Sequence, residues 1–241
     1  MPFDSSNGPA FRAGPWERIL GFVALATLTI GALWGLAWSR PDLYQGEAMR
    51  ILYVHVPAAW MTFAAFFVIF YCSIQYLRTR DIRYDTVAHA SAGVGIVFTG
   101  LCLATGSIWG KYAWGIWWTW DARLTTVAVL FLIYAVYLIL RGLIEEETRR
   151  ARFSAVVGII GFIDVPIIHF SVYWWRTLHQ PASILRPDSP RMPPELMFPL
   201  LFNTAAFTAL FVYLLLARRR ALQAERELNR TRQEQLHESG V

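Results

Sequence analysis

The sequence predicts an all-α, polytopic membrane protein: a six-transmembrane-helix bundle with a short Trp-rich interfacial helix on its outer side. Three observations carry that reading. The 241 residues are 56% hydrophobic and only 16% charged, too apolar for a soluble domain of this length. The apolar residues fall into six runs, 19–38, 56–77, 86–109, 124–140, 153–175 and 196–217, each near the roughly 20 residues that cross a bilayer core as a helix. The runs lack the alternation of barrel strands, and only helices or closed barrels can span. Lastly, 15 of the 22 Lys and Arg residues lie in the amino terminus, the loops 78–85 and 141–152 and the tail from 218, against 7 in the other three loops. The positive-inside rule then puts both termini in the cytoplasm.

Taken in order, 19–38 is too long for the apolar part of a signal peptide and no A-x-A site follows it, so it is read as the first span. The second and third runs hold Cys72 and Cys102, read as small packing residues. No C-x-x-C-H motif is present, which excludes a c-type cytochrome. The fifth run carries Asp164 near its middle, where a carboxylate costs on the order of 3 kcal/mol on insertion scales. Pro166 frees backbone groups two residues later and predicts a bend. Asp164 is either a satisfied acid at that bend or part of a ligand or proton path. "QPASILRPDSPRMPPE" reads as a loop between the fifth and sixth spans. Residues 1–217 form the membrane domain. Residues 218–241 form an Arg-rich cytoplasmic tail that begins as a stop-transfer cluster and continues as a polar helix. That tail is either solvated and drawn to lipid or docked on a partner subunit.

Between the third and fourth runs stands "WGIWWTWDARL", residues 114–124. At helical spacing Trp114, Trp117, Trp118 and Asp121 share one face, which predicts a short helix lying in the interface. Asp121 is also placed to cap the fourth span. An aromatic belt would account for scattered tryptophans; here they are dense, and Lys111 and Arg123 flank them. Such a surface suits a flat apolar ligand with acidic edges, as haem is, and arginine grips carboxylates in a fork. Haem needs axial ligands, most often histidine. His55 ends the first outer loop in "RILYVHVPAAW", and His179 follows the fifth span in "YWWRTLHQP". Each alone reads as an ordinary interfacial histidine; two at one depth beside an aromatic platform point to ligation. His89 and His169 lie at depths roughly 20 Å apart by helical rise and cannot sandwich one haem inside the bundle, as a membrane cytochrome b would require. His237 is in the tail.

With these residues in view the chain resembles the haem exporter protein C family of the bacterial cytochrome c maturation apparatus, over about residues 16–217. "WGKYAWGIWWTWDARLT" resembles the WWD signature of haem-handling membrane proteins. "RILYVHVPAAW" and "SVYWWRTLHQP" resemble the family's two histidine-bearing segments. The resemblance implies that haem b is held at the periplasmic face of the inner membrane and loaded onto a membrane-anchored haem chaperone. It further implies ABC-type ATPase and membrane subunits and a small single-span subunit as partners. By position it makes His55 and His179 the axial ligands, and Trp114, Trp117, Trp118, Trp120 and Asp121 the platform and chaperone-docking surface. Arg50 and Arg123 become the candidates for the propionates, ahead of Lys111. Asp42 and Gln45 match polar positions of the first outer loop. Asp164, His169 and the tail receive no role from it.

No G-x-x-x-x-G-K-[ST] motif is present, so ATP chemistry is expected in a partner and no enzyme activity in this chain. Three rivals remain: a cytochrome b-like redox protein, against which the histidine depths argue; a transporter moving haem through the bundle, toward which only Asp164 and Pro166 lean; and a scaffold subunit with an aromatic belt and no ligand.

Overall fold

A computed structural model describes residues 12–179 and 192–238. Among these described residues seven α-helices build six passes: α1 (Pro15–Ala32), α2 (Leu52–Thr79), α3 (Ile82–Trp114), α4 (Ala122–Leu143), α5 (Glu147–Gly161), α6 (Asp164–Trp174) and α7 (Pro194–Glu238). α1 ends in a π-helical turn, Leu33–Trp38, and a 3-10 turn, Glu47–Ile51, leads into α2. Six stretches are long and apolar enough to cross a membrane, with α5 and α6 making one pass together. The chain is therefore a polytopic all-α membrane protein. Its helices outrun the apolar runs because amphipathic ends continue the backbone ladder: Ile82–Trp114 replaces the expected 86–109, and Glu147–Trp174 replaces 153–175.

The α2–α3 hairpin is the centre. Arg80, at φ 60, turns the chain, and Asp81 caps α3 by accepting from the Arg83 amide at 2.9 Å. The two helices approach closely through Ala58, Ala65, Ala88 and Ala92, all buried, the close packing of small residues that apolar solvent favours between helices. Ser91 Oγ donates across the seam to the Ala65 carbonyl at 2.9 Å. α4 packs on α3 where Tyr134 lies against Gly95; a Cβ there would stand 2.5 Å from the ring. The Tyr134 hydroxyl donates to the Thr62 carbonyl at 2.8 Å. α1 and α7 pair on the other flank, where Asn203 Nδ2 donates to the Gly31 and Pro199 carbonyls at 3.0 and 2.9 Å.

The expected bend in the fifth pass is a break. α5 stops at Gly161, two residues turn, and α6 starts at Asp164. Pro166 falls in the first turn of α6, where its missing N–H matters least. Asp164 is buried, and its Oδ2 has no partner among the described residues.

At the end where α1 and α3 begin and α4 ends, charges are buried together. Arg141 grips Asp85 in a fork of 2.6 and 2.8 Å, with both side chains under 5% exposed. Arg226 of α7 reaches the same carboxylate at 3.2 Å and Glu147 at 3.3 Å, and also bonds Thr86. Arg220 pairs with Glu17 at the start of α1. Leu222 and Ala224 are buried. The first turns of the tail thus belong to the bundle, which corrects the expectation of a solvated tail for residues 218–226. An uninterrupted helix carries them there, and Asp85 gives Arg226 a desolvated partner.

Breaking one side of a buried ion pair costs about 3–5 kcal/mol, while replacing both partners by apolar groups costs far less. Arg141→Met is therefore expected to lower the unfolding midpoint of the detergent-solubilised protein. Asp85→Leu combined with Arg141→Leu should recover more than half of that loss, and a double variant no better than the single one would contradict this.

Candidate functional site

The end of the bundle where α3 ends, α4 begins and α7 begins gathers the described parts of the outer segments that the sequence singled out. The Trp-rich stretch is not the helix its spacing predicts. α3 runs on to Trp114, and Gly115, at φ 81, ends it. The Gly115 amide donates to the Lys111 carbonyl at 3.1 Å, and Lys111 Nζ to the Gly115 carbonyl at 2.9 Å. That left-handed glycine closes the helix in the usual way. Residues 115–121 then run without helical structure until Asp121 starts α4 by accepting from the Leu124 amide at 2.9 Å. Trp114, Trp117, Trp118 and Asp121 consequently do not share a helix face. The Trp117 carbonyl accepts from Ser107 Oγ at 2.7 Å, which pins the ribbon to α3. Trp117 and Trp120 point outward, 57% and 79% exposed. Trp118 meets Trp120 edge-on at 5.5 Å, and its indole N–H is buried with no protein acceptor among the described residues.

His55 does not lie in a loop, because α2 begins at Leu52 and places it in the first helical turn. Its ring lies on α3 at Gly106, where a Cβ would come within 2.9 Å of Cε1. Nδ1 is 3.1 Å from the Cys102 carbonyl oxygen and 3.1 Å from Thr105 Oγ1. A carbonyl only accepts, and the Thr105 hydroxyl gives its own proton to the Leu101 carbonyl at 2.7 Å. Nδ1 of a neutral His55 must therefore carry the ring proton, which leaves the Nε2 lone pair free. Trp109 meets this ring edge-on at 5.6 Å and donates its indole N–H to Gln45 Oε1 at 2.6 Å. Asp42 shapes the turn that delivers Gln45: its Oδ1 accepts from the Tyr44 and Gln45 amides, each at 2.9 Å, and its backbone pairs with Gly46. Asp42 and Gln45 thus support Trp109 and, through it, His55.

His179 stands in the non-helical segment after α6, edge-on to Trp114 at 4.9 Å. Its Nδ1 is 3.4 Å from Asp121 Oδ2, which also accepts from the Leu178 amide at 3.2 Å. Asp121, its side chain 7% exposed, so joins the start of α4 to the segment bearing His179. Burial holds the His179 imidazole below its ordinary value near 6.5, against the opposing pull of Asp121. The contact is therefore a hydrogen bond from a neutral ring rather than an ion pair at neutral pH, and again Nε2 is left with its lone pair. His55 near the start of α2, His179 beyond the end of α6 and Arg123 at the start of α4 lie at the same end of the bundle.

The cations are partly committed. Arg50 donates to the Leu36 and Ser39 carbonyls at 3.0 and 2.8 Å and pairs with Glu47 at 2.8 Å, closing the end of the first pass. Arg123 donates to the His169 carbonyl at 3.1 Å, and its Nε is buried with no protein acceptor among the described residues. His169 thus lies beside the start of α4. His89 stands one turn beyond Asp85, which pairs with Arg141, and Arg141 is roughly 27 Å from Arg123 along α4 by helical rise. The two are not brought together. Sequence reasoning missed Trp109, Thr105 and Gly106, although "WGKYAW" places Trp109 and Trp114 on adjacent turns of one helix. Residues 180–191 of the expected Pro-rich loop lie outside the described residues.

A histidine whose folded pKa is lowered binds its proton more readily in the unfolded chain, so stability falls as pH drops below about 6.5. The melting midpoint of the haem-free protein should fall between pH 7.5 and 5.5, with a shallower slope for His179→Gln. Identical slopes would show that His179 is not the group responsible.

Comparison with known proteins agrees with this architecture. The family described as heme exporter protein C matches residues 8–234. Heme exporter protein C of Bradyrhizobium diazoefficiens is 42% identical over 202 residues, covering 83% of this chain and 77% of the relative. The Haemophilus influenzae protein of that name is 36% identical over 86% of this chain and 84% of its own length, and the Escherichia coli protein 35% over 86% and 82%. A ccmC-like mitochondrial protein of Marchantia polymorpha, described by cytochrome c biosynthesis, is 42% identical over 65% of this chain and 67% of its own. The chain belongs to the heme exporter protein C family.

Proposed function

We propose that this protein holds haem at the end of the bundle where α3 ends and α4 and α7 begin, between Nε2 of His55 and Nε2 of His179, and passes it to an acceptor protein. The observation that carries this reading is the matched state of the two imidazoles. On one end of the bundle, each gives its Nδ1 proton to a protein oxygen and keeps Nε2 as a neutral donor, the arrangement that fixes metal-ligating histidines. Among the described residues no group of three or more His, Cys, Asp or Glu side chains could cage a bare metal ion. Two imidazoles suit an iron that already brings four porphyrin nitrogens. The family and the names of its members support haem as the cargo, and haem b is the form proposed here.

Arg123 and Arg50 each keep a buried Nε–H with no protein acceptor among the described residues, and both are candidates for the propionates. Trp114 and Trp118 back the site, and exposed Trp117 and Trp120 offer the docking surface for a membrane-anchored haem chaperone. The charge asymmetry of the loops supports both termini on the cytoplasmic side and this end facing outward, and the bacterial members of the family support the inner membrane as its place. ABC-type subunits and a small single-span subunit would complete the complex and supply ATP hydrolysis. The membrane domain to residue 217 would carry haem handling, leaving the exposed end of α7 as a cytoplasmic extension.

His55→Ala and His179→Ala, purified separately, are each expected to lose haem and to shift the Soret band; full haem content with an unchanged spectrum in both rejects the ligation. Trp117→Ala with Trp120→Ala should retain haem yet load the chaperone about tenfold more slowly. Loading at the normal rate would remove the docking role.

A further inference from the structure

The two imidazoles are held by chemically different acceptors. His179 Nδ1 faces the carboxylate of Asp121, whereas His55 Nδ1 faces a neutral carbonyl and a neutral hydroxyl. A carboxylate acceptor draws the Nδ1 proton toward itself and builds negative charge on the ring, which strengthens Nε2 as a donor. The Asp121 side chain is nearly out of water, so this polarisation is little screened. The Leu124 and Leu178 amides, one on each oxygen, hold the carboxylate in place.

The mountings differ as well. His55 is built into α2, with its ring wedged between Gly106 and Trp109. His179 rides on a short non-helical segment tethered through Asp121.

We infer, resting on the haem-holding reading above, that Asp121 is a positioning residue that makes His179 the stronger axial ligand, so that the iron–His55 bond is the one that opens when haem is handed over. The step is a ligand exchange. The Nε2 lone pair of His55 leaves the iron, a lone-pair donor of the acceptor protein takes its place, and neither an electron nor a proton is transferred.

The test uses the full-length protein loaded with haem. His55→Ala should keep more haem than His179→Ala. In the ferrous five-coordinate forms, the iron–histidine stretching frequency should be higher in His55→Ala, where His179 remains, than in His179→Ala. Equal or reversed frequencies overturn the inference, and this comparison does not require any Asp121 variant to fold. Asp121→Asn keeps an oxygen for the helix cap and removes the charge. It should release haem to apomyoglobin at least about tenfold faster and raise the midpoint potential. Asp121→Asn with a normal release rate and potential also overturns the inference. Full haem with unchanged spectra in both histidine variants would instead remove the ligation on which it rests.

Discussion

Asp121 divides its carboxylate between two segments that the chain keeps 57 residues apart. One oxygen starts α4 at the Leu124 amide, and the other receives the Leu178 amide and the His179 ring. Without that second oxygen, His179 would stand on a loop with a free choice of ring orientation and tautomer. With it, the position of His179 is set by the start of a rigid helix. The remaining outer-end geometry follows, because Trp114, the last residue of α3, meets that same ring.

The apolar solvent explains why so much of the site rests on backbone. A side chain in hydrocarbon has no water to satisfy it, so polar groups near the membrane take helix carbonyls as partners. His55 uses the Cys102 carbonyl, Arg50 those at the end of the first pass, and Arg123 that of His169. Close approach makes this possible. His55 can lie on α3 because residue 106 is glycine, and Tyr134 can lie there because residue 95 is glycine.

The opposite end answers the same constraint with charge. Asp85, Arg141 and Arg226 neutralise one another where α3, α4 and α7 converge. Such a cluster adds little net stability over apolar packing, and its worth lies in specifying register. It joins α7 to α3 at one end of the bundle, and α7 begins at the end that bears the two histidines.

The class of protein, the six passes, a bend near Pro166 and the residues worth inspecting were all legible in the sequence. All of these depend on hydrophobic run length, on proline and on residue chemistry, which are local. It misjudged the Trp-rich stretch because periodicity alone cannot weigh Gly115, whose left-handed backbone ends α3 just where the helical pattern suggests continuation. It placed His55 in a loop because the apolar run starts at residue 56, although backbone hydrogen bonding begins α2 at Leu52. Only the tertiary structure decided that Asp121 holds His179, that Gln45 reaches Trp109, and that Asp85 and Arg141 meet. Each of these pairs joins residues distant in the chain, and such pairing depends on how helices pack rather than on any pattern within one helix.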